Sequence, residues 1–310
     1  MKEKFHNFIP TFLKGVGMGA ANVIPGVSGG TIALITGIYE KLINSLKSFD
    51  VHAIRMLFKG QFKALFTHIN FNFLVAVFLG VGVSIVSLSK LLEFLFENYP
   101  IYLWAFFFGL ILASVYYVGK TIGRWNLNTV CSLILGTVIA IIISLLNPTT
   151  ENKDLFYLFL CGIVAISSMI LPGLSGSFVL ILMGNYMLIL SSISELNLSI
   201  LIPFGLGCVF GLLAFSHILA WVFKKFKDAT ISLLTGFILG SLLILWPWKN
   251  TLFLKDEIGS FILKDNEKVA QGYEWVIPDL GVETMMAVML IFLGIASIWI
   301  IEFMGNKIKN

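Results

Sequence analysis

Six stretches of this chain, near residues 73–96, 101–118, 129–146, 200–223, 230–246 and 284–303, are apolar and long enough to cross a bilayer core, which takes about 20 residues. No water is present there to satisfy backbone N–H and C=O groups, so each stretch must close its own hydrogen bonds as an α-helix. The composition agrees, with 58% hydrophobic and 12% charged residues and a mean hydropathy of +0.93. Soluble domains carry about 25% charged residues. The expected fold class is therefore an all-α polytopic membrane protein. Cys131, Cys161 and Cys208 lie singly in apolar segments, and His6, His52, His68 and His217 are scattered. That spacing predicts no disulfide framework, metal site or cofactor. No cleaved leader is expected, because no short apolar run with a small-residue cleavage site follows the N-terminal lysines. No nucleic-acid partner is expected either.

Two further regions, 8–46 and 155–193, are apolar but interrupted halfway by Pro-Gly, and each is read as a broken helix pair. They are copies of one another. With a shift of 147 residues, Phe12, Leu13, Gly15, Pro25, Gly26, Ser28, Gly29, Gly37 and Tyr39 fall on Phe159, Leu160, Gly162, Pro172, Gly173, Ser175, Gly176, Gly184 and Tyr186. With a shift of 127, Gly80, Ser89 and Gly109 fall on Gly207, Ser216 and Gly236. Residues 1–150 thus form a first repeat, with the pair at 8–46, an added segment at 50–70 and three spans. Residues 151–310 form a second, with the pair at 155–193, three spans and an outer loop at 249–283. Three spans is an odd number, so the two halves face opposite ways. An inverted repeat with a discontinuous, re-entrant helix in each half is a pattern of secondary transporters, whose substrate site lies where the breaks meet.

Charge sets the orientation. With both termini cytoplasmic, Lys2, Lys4, Lys47, Arg55, Lys59, Lys63, Lys120, Arg124, Lys224, Lys225, Lys227, Lys307 and Lys309 all fall inside. The outer side receives "NPTTENKD", "SSISELNLS" and the loop 249–283, which holds four lysines against seven acids. Within 50–70, Arg55, Lys59 and Lys63 recur beside Ile54, Phe58, Phe62 and Phe66, the pattern of an amphipathic surface helix contacting anionic membrane lipids.

The breaks themselves read "VIPGVSGGTI" and "LPGLSGSF". Pro25 and Gly26, like Pro172 and Gly173, make a turn, and Ser28 caps the half-helix that follows. Gly29, Gly30 and Thr31 on one side, and Ser175, Gly176 and Ser177 on the other, then present N–H and hydroxyl groups to a ligand. Opposed helix N-termini suit an anion, most simply a phosphate or carboxylate. Asn22 is a further candidate ligand. Glu40 is the candidate for ion coupling or gating, the ion being a proton or sodium.

The runs "GMGAANVIPGVSGGTIALITGIYEKLI" and "MILPGLSGSFVLILMGNY" resemble the bacterial polyprenyl-phosphate transporter family (PopT), formerly a domain of unknown function, over essentially the whole chain. The resemblance implies a plasma-membrane flippase, not an enzyme. Its substrate would be undecaprenyl phosphate, the carrier lipid of peptidoglycan synthesis, returned from the outer to the inner leaflet. Two alternatives remain open at the level of the residues. One is a transporter of another small anion or phospholipid. The other is an undecaprenyl-diphosphate phosphatase of the BacA type, whose PGxSRSG motif carries an arginine where this chain has glycine. Without a cation or metal ligand, a phosphoryl transition state would be hard to stabilise.

Overall fold

The computed structural model describes the backbone at residues 2–23, 28–146, 149–253, 263–264, 267–268 and 270–309, and the side chains at most of these positions. The first half opens with α1 (Lys2–Val23), α2 (Gly29–Ile35) and α3 (Tyr39–Lys47). Then come the short α4 (Val51–Phe58) and α5 (Phe62–His68), and the long α6 (Phe71–Asn98), α7 (Pro100–Gly119) and α8 (Leu127–Leu145). The second half repeats the order with α9 (Leu155–Ile170), α10 (Gly176–Leu182), α11 (Tyr186–Glu195), α12 (Leu198–Lys225) and α13 (Lys227–Leu245). Strands β1 (Lys249–Phe253), β2 (Leu263–Lys264), β3 (Glu267–Lys268) and β4 (Ala270–Trp275) precede the last helix, α14 (Val282–Lys309). All six expected spans are helices, within a few residues of their expected limits, and α6, α7, α8, α12, α13 and α14 are each long and apolar enough to cross a membrane. The chain is a multi-pass, predominantly helical membrane protein.

Three sequence expectations are corrected in detail. Regions 8–46 and 155–193 are each broken twice, giving three helices instead of a pair. The second breaks fall at Gly37 and Gly184, both at φ +70. There Gly37 and Ile38 N–H bond Leu34 and Ala33 carbonyls, and Gly184 and Asn185 N–H bond Ile181 and Leu180 carbonyls, the same helix-ending pattern in both halves. The bend between α10 and α11 is 117°. Next, the surface segment 50–70 is two helices, because Gly60 at φ +68 ends α4 in the same way. Asp50 caps α4 by accepting from Ala53 N–H at 2.9 Å and pairs with His68 Nε2 at 3.3 Å, closing the hairpin. The Ala53 N–H, with His68 in support, holds the Asp50 carboxyl below its ordinary pKa. Finally, the outer loop is not all irregular. β1 pairs antiparallel with β4, Lys249 opposite Trp275. Residues there lie beyond the helical spans, so backbone groups are free to pair across a hairpin. Lys249 Nζ lies 3.8 Å from the Trp104 ring centroid and donates to the Ile244 carbonyl, fastening the hairpin to α7 and α13.

Glycines set how the long helices meet. A Cβ on Gly15 would strike the Val77 backbone, and one on Gly19 that of Val81, so α1 and α6 touch backbone to backbone and run parallel. Gly162 against Phe204 and Gly211 against Ile163 set α9 on α12, again parallel. Gly136 meets Leu233 and Gly240 meets Ala140 where α8 lies along α13. Gly109 meets Ile291, and the Tyr102 hydroxyl approaches Met286 Sδ at 3.8 Å, where α7 lies along α14. Apolar side chains gain little from leaving lipid for protein, so close backbone approach at small residues is what holds such helices together. The joints match as well. Tyr99 links α6 to α7 at φ −138, ψ 46, and Phe226 links α12 to α13 at φ −135, ψ 54.

A paired substitution tests this packing. Gly207→Ala drives a methyl into the Phe159 backbone, whereas Gly205, two residues away, has nothing within 4 Å. Gly207→Ala should lower stability by about 1–3 kcal/mol, as overpacking does. Gly205→Ala should leave it unchanged or slightly higher, as read by thermal unfolding of the detergent-solubilised protein.

Candidate functional site

The two Pro-Gly breaks meet. α9 ends at Ile170, leaving its last carbonyls without helical donors in an apolar interior. The first break supplies their donors. Ser28 Oγ sits 3.1 Å from the Leu171 carbonyl and 3.3 Å from that of Met169, and its single proton serves one of them. Tyr39 donates to the Ile170 carbonyl at 3.0 Å. In return, the Gly173 N–H donates to Thr31 Oγ1 at 2.9 Å. Gly173 is at φ +82 and lies against the Phe237 backbone, so no residue with a Cβ fits there.

Within the first break, Ser28 is the N-cap of α2, accepting from Gly30 N–H at 3.1 Å. Asn22, at the end of α1, accepts from Gly29 N–H through Oδ1 at 2.8 Å. A Cβ on Gly30 would lie 2.6 Å from the Ile170 carbonyl. In this conformation Gly29 and Gly30 therefore serve close packing, and their N–H groups already have protein acceptors. Thr31, Pro172 and Gly173 belong to the same junction. Pro25 and Gly26 lie outside the described residues.

The second break differs at one position. Met169 stands where the repeat puts Asn22 in the first half, and a Cβ on Gly176 would meet Met169 Cγ at 2.5 Å just as one on Gly29 would meet Asn22 Oδ1 at 2.7 Å. A thioether does not replace an amide oxygen as acceptor. Ser175, the N-cap of α10, makes no side-chain capping bond, and its hydroxyl instead lies 2.7 Å from Ser177 Oγ. Among the described residues, Gly176 and Ser177 N–H have no acceptor.

These groups border a cavity of about 300 Å³ whose polar end is formed by Asn22, Ser28, Ser175, Gly176 and Ser177. Its remaining walls are largely apolar, from α9 (Met169), α11 (Tyr186, Ile189) and α12 (Phe204, Cys208). Among the described residues, no Lys, Arg, Asp, Glu or His lines it. The arrangement can bind an anion through neutral donors, and it lacks the charged groups that phosphoryl chemistry uses.

Of the residues singled out in the sequence, five border the cavity, Gly30, Thr31 and Gly173 join the two breaks, and Gly29 packs on Asn22 within the first unit. Glu40 does none of these. It is exposed at the start of α3 and pairs with Lys227 of α13 at 3.3 Å. Lys14 donates to the Thr36 carbonyl at the end of α2, at 2.8 Å. The sequence reading missed the role of Tyr39, although its match with Tyr186 was a signal. It also missed Asn185, fully buried and bonded to both backbone groups of Asn152, which fixes the turn after α8 to the second unit. No motif marked Asn185, whose counterpart in the first half is Ile38.

A multi-pass helical bundle with two broken-helix units joined tip to tip beside a small cavity with a polar end is an architecture suited to membrane transport. The comparisons with known proteins narrow this. Residues 18–262 match the family described as undecaprenyl phosphate translocase-like, and the chain belongs to that family. It is 44% identical over 252 residues to the polyprenyl-phosphate transporter of Vibrio cholerae, covering 81% of this chain and 82% of that one. It is 34% identical over 253 residues to the polyprenyl-phosphate transporter of Staphylococcus aureus, covering 76% and 85%. These relatives are named as transporters, in keeping with a chain that is not an enzyme. No solved structure matches.

The junction between the breaks has a direct test. Thr31→Val keeps the shape but leaves the Gly173 N–H without its acceptor, at a cost of roughly 1–3 kcal/mol. Thermal unfolding should show that loss for Thr31→Val and recovery in Thr31→Ser, which restores the oxygen.

Proposed function

We propose that this protein carries polyprenyl phosphate, of the undecaprenyl type, from the outer to the inner leaflet of the bacterial plasma membrane. The phosphate would pass through the cavity where the two breaks meet. The observation that carries this reading is the meeting itself. Ser28, Ser175, Ser177 and Asn22, drawn from both repeats, border one cavity. The two relatives, named as polyprenyl-phosphate transporters, supply the lipid.

The helix directions support an inverted repeat. With the N-terminus cytoplasmic, α1 and α6 run outward, α7 inward and α8 outward. The parallel packing of α13 on α8 makes α13 outward and α12 inward, and α9 then runs inward along α12. α14, parallel to α7, also runs inward. Each helix of the second half is thus opposed to its counterpart, both termini are cytoplasmic, and the two broken units enter from opposite faces. The charge distribution agrees at every loop.

A phosphate monoester carries about −1.5 to −2 charges. An isolated ion in a low-dielectric medium costs tens of kcal/mol, so unaided flipping is slow. Hydroxyls and amide N–H groups at mid-depth lower that barrier. Because they are neutral, they bind the anion without the deep trap that a buried lysine or arginine would set. Glu40 fits gating better than phosphate contact, since its pair with Lys227 ties the first broken unit to a helix of the second half.

The experiment is leaflet exchange of labelled polyprenyl phosphate in proteoliposomes, with released phosphate measured in parallel. Exchange without phosphate release is expected. Released phosphate would make the phosphatase reading primary, and absence of exchange under proton and sodium gradients would favour a small anion. Met169→Asn recreates in the second unit the amide that occupies Gly29 N–H in the first. It should weaken substrate binding about tenfold, the effect of one hydrogen bond of roughly 1.4 kcal/mol. Ser175→Ala combined with Ser177→Ala should reduce exchange further while leaving the melting temperature near that of the parent.

A further inference from the structure

A second, larger hollow lies on the cytoplasmic side, outside the cavity just described. It measures about 670 Å³ and is bounded by the end of α3, the α4–α5 hairpin, the first turns of α6 and the middle of α12. Every lining residue is apolar, among them Phe49, Ile54, Leu57, Phe71, Phe78 and Val209, and these six remain exposed. The hairpin is rigid enough to hold the hollow open. Ala53, Leu65 and Ile69 form a small core between α4 and α5, and the Asp50–His68 pair locks its ends. A concave, carbon-lined surface of this size suits an apolar occupant.

Resting on the transport reading above, we propose that this groove holds the isoprenoid chain of polyprenyl phosphate on the inner-leaflet side. Two features select that occupant. The groove and the cavity lie on neighbouring faces of one helix, because Phe204 and Cys208 of α12 line the cavity and Val209, Leu212 and Leu213 line the groove. Successive residues of a helix are 100° apart, which puts Leu212 about 40°, Val209 about 100° and Leu213 about 140° around the axis from Cys208. The hairpin that bounds the groove is also basic, with Arg55, Lys59 and Lys63 exposed on it and Lys47 at the end of α3. A lipid with one long apolar chain and a phosphate end matches both parts, its chain in the groove and its phosphate near the cationic hairpin on arrival.

Photolabelling tests this. The full chain in proteoliposomes is irradiated with polyprenyl phosphate bearing a diazirine on its terminal isoprene, and labelled peptides are mapped by mass spectrometry. Labels on α4, α6 and α12 lining residues that are displaced by unlabelled polyprenyl phosphate, but not by equal phosphatidylglycerol, are expected. Equal displacement by phosphatidylglycerol would make the groove a general phospholipid site and overturn the proposal. Labels confined to other lipid-facing helices, with leaflet exchange intact, would overturn it while leaving the transport reading standing. Absence of exchange together with absence of saturable labelling would remove both. Ile54→Trp and Leu212→Trp, which fill the groove, should slow exchange at least tenfold, whereas Leu135→Trp on the exposed face of α8 should not.

Discussion

A helix that stops inside a bilayer leaves its last carbonyls and the next helix's first N–H groups with no water to turn to. In this protein each break is completed by the other. The carbonyls at the end of α9 take hydrogens from Ser28 and Tyr39, and the Gly173 N–H is received by Thr31. The end of α9 takes its donors from the first unit, which holds the two tip to tip. The rest of the fold is the frame that keeps them there, with α1 fixed along α6, α9 along α12, and the α8–α13 and α7–α14 pairs around them.

That mutual completion explains how two copies of one motif come to do different things. In the first copy Asn22 and Ser28 consume the N–H groups of Gly29 and Gly30, leaving a closed structural joint. In the second, Met169 replaces the amide and Ser175 turns to Ser177, leaving donors directed at the cavity. An exchange of amide for thioether at a single repeat position accounts for the asymmetry, because a thioether sulfur is a far weaker acceptor than an amide oxygen.

Neutral donors also suit a carrier that must release what it binds. A fixed cation beside the phosphate would strengthen binding in a low-dielectric site and slow departure. Cationic residues cluster instead on the α4–α5 hairpin and near the ends of α3 and α12. There, screening by solvent keeps the attraction modest.

Much of this was legible in the sequence. The length and apolarity of the six spans fixed their helices, since lipid allows a lone segment no other structure. The matched Pro-Gly-x-Ser-Gly motifs located both breaks. The second breaks at Gly37 and Gly184 were present in the alignment of the repeats, but a glycine inside an apolar run looks the same whether it lies in a helix or ends one. Only the tertiary structure decided the partners. Gly29 and Gly30 read as open anion ligands until the Ile170 backbone and Asn22 were seen against them. Tyr39 had no assigned role until the Ile170 carbonyl lay at its hydroxyl. Local sequence determines which backbone groups a break sets free, but the groups that satisfy them come from a segment more than a hundred residues away, which only packing can bring into reach.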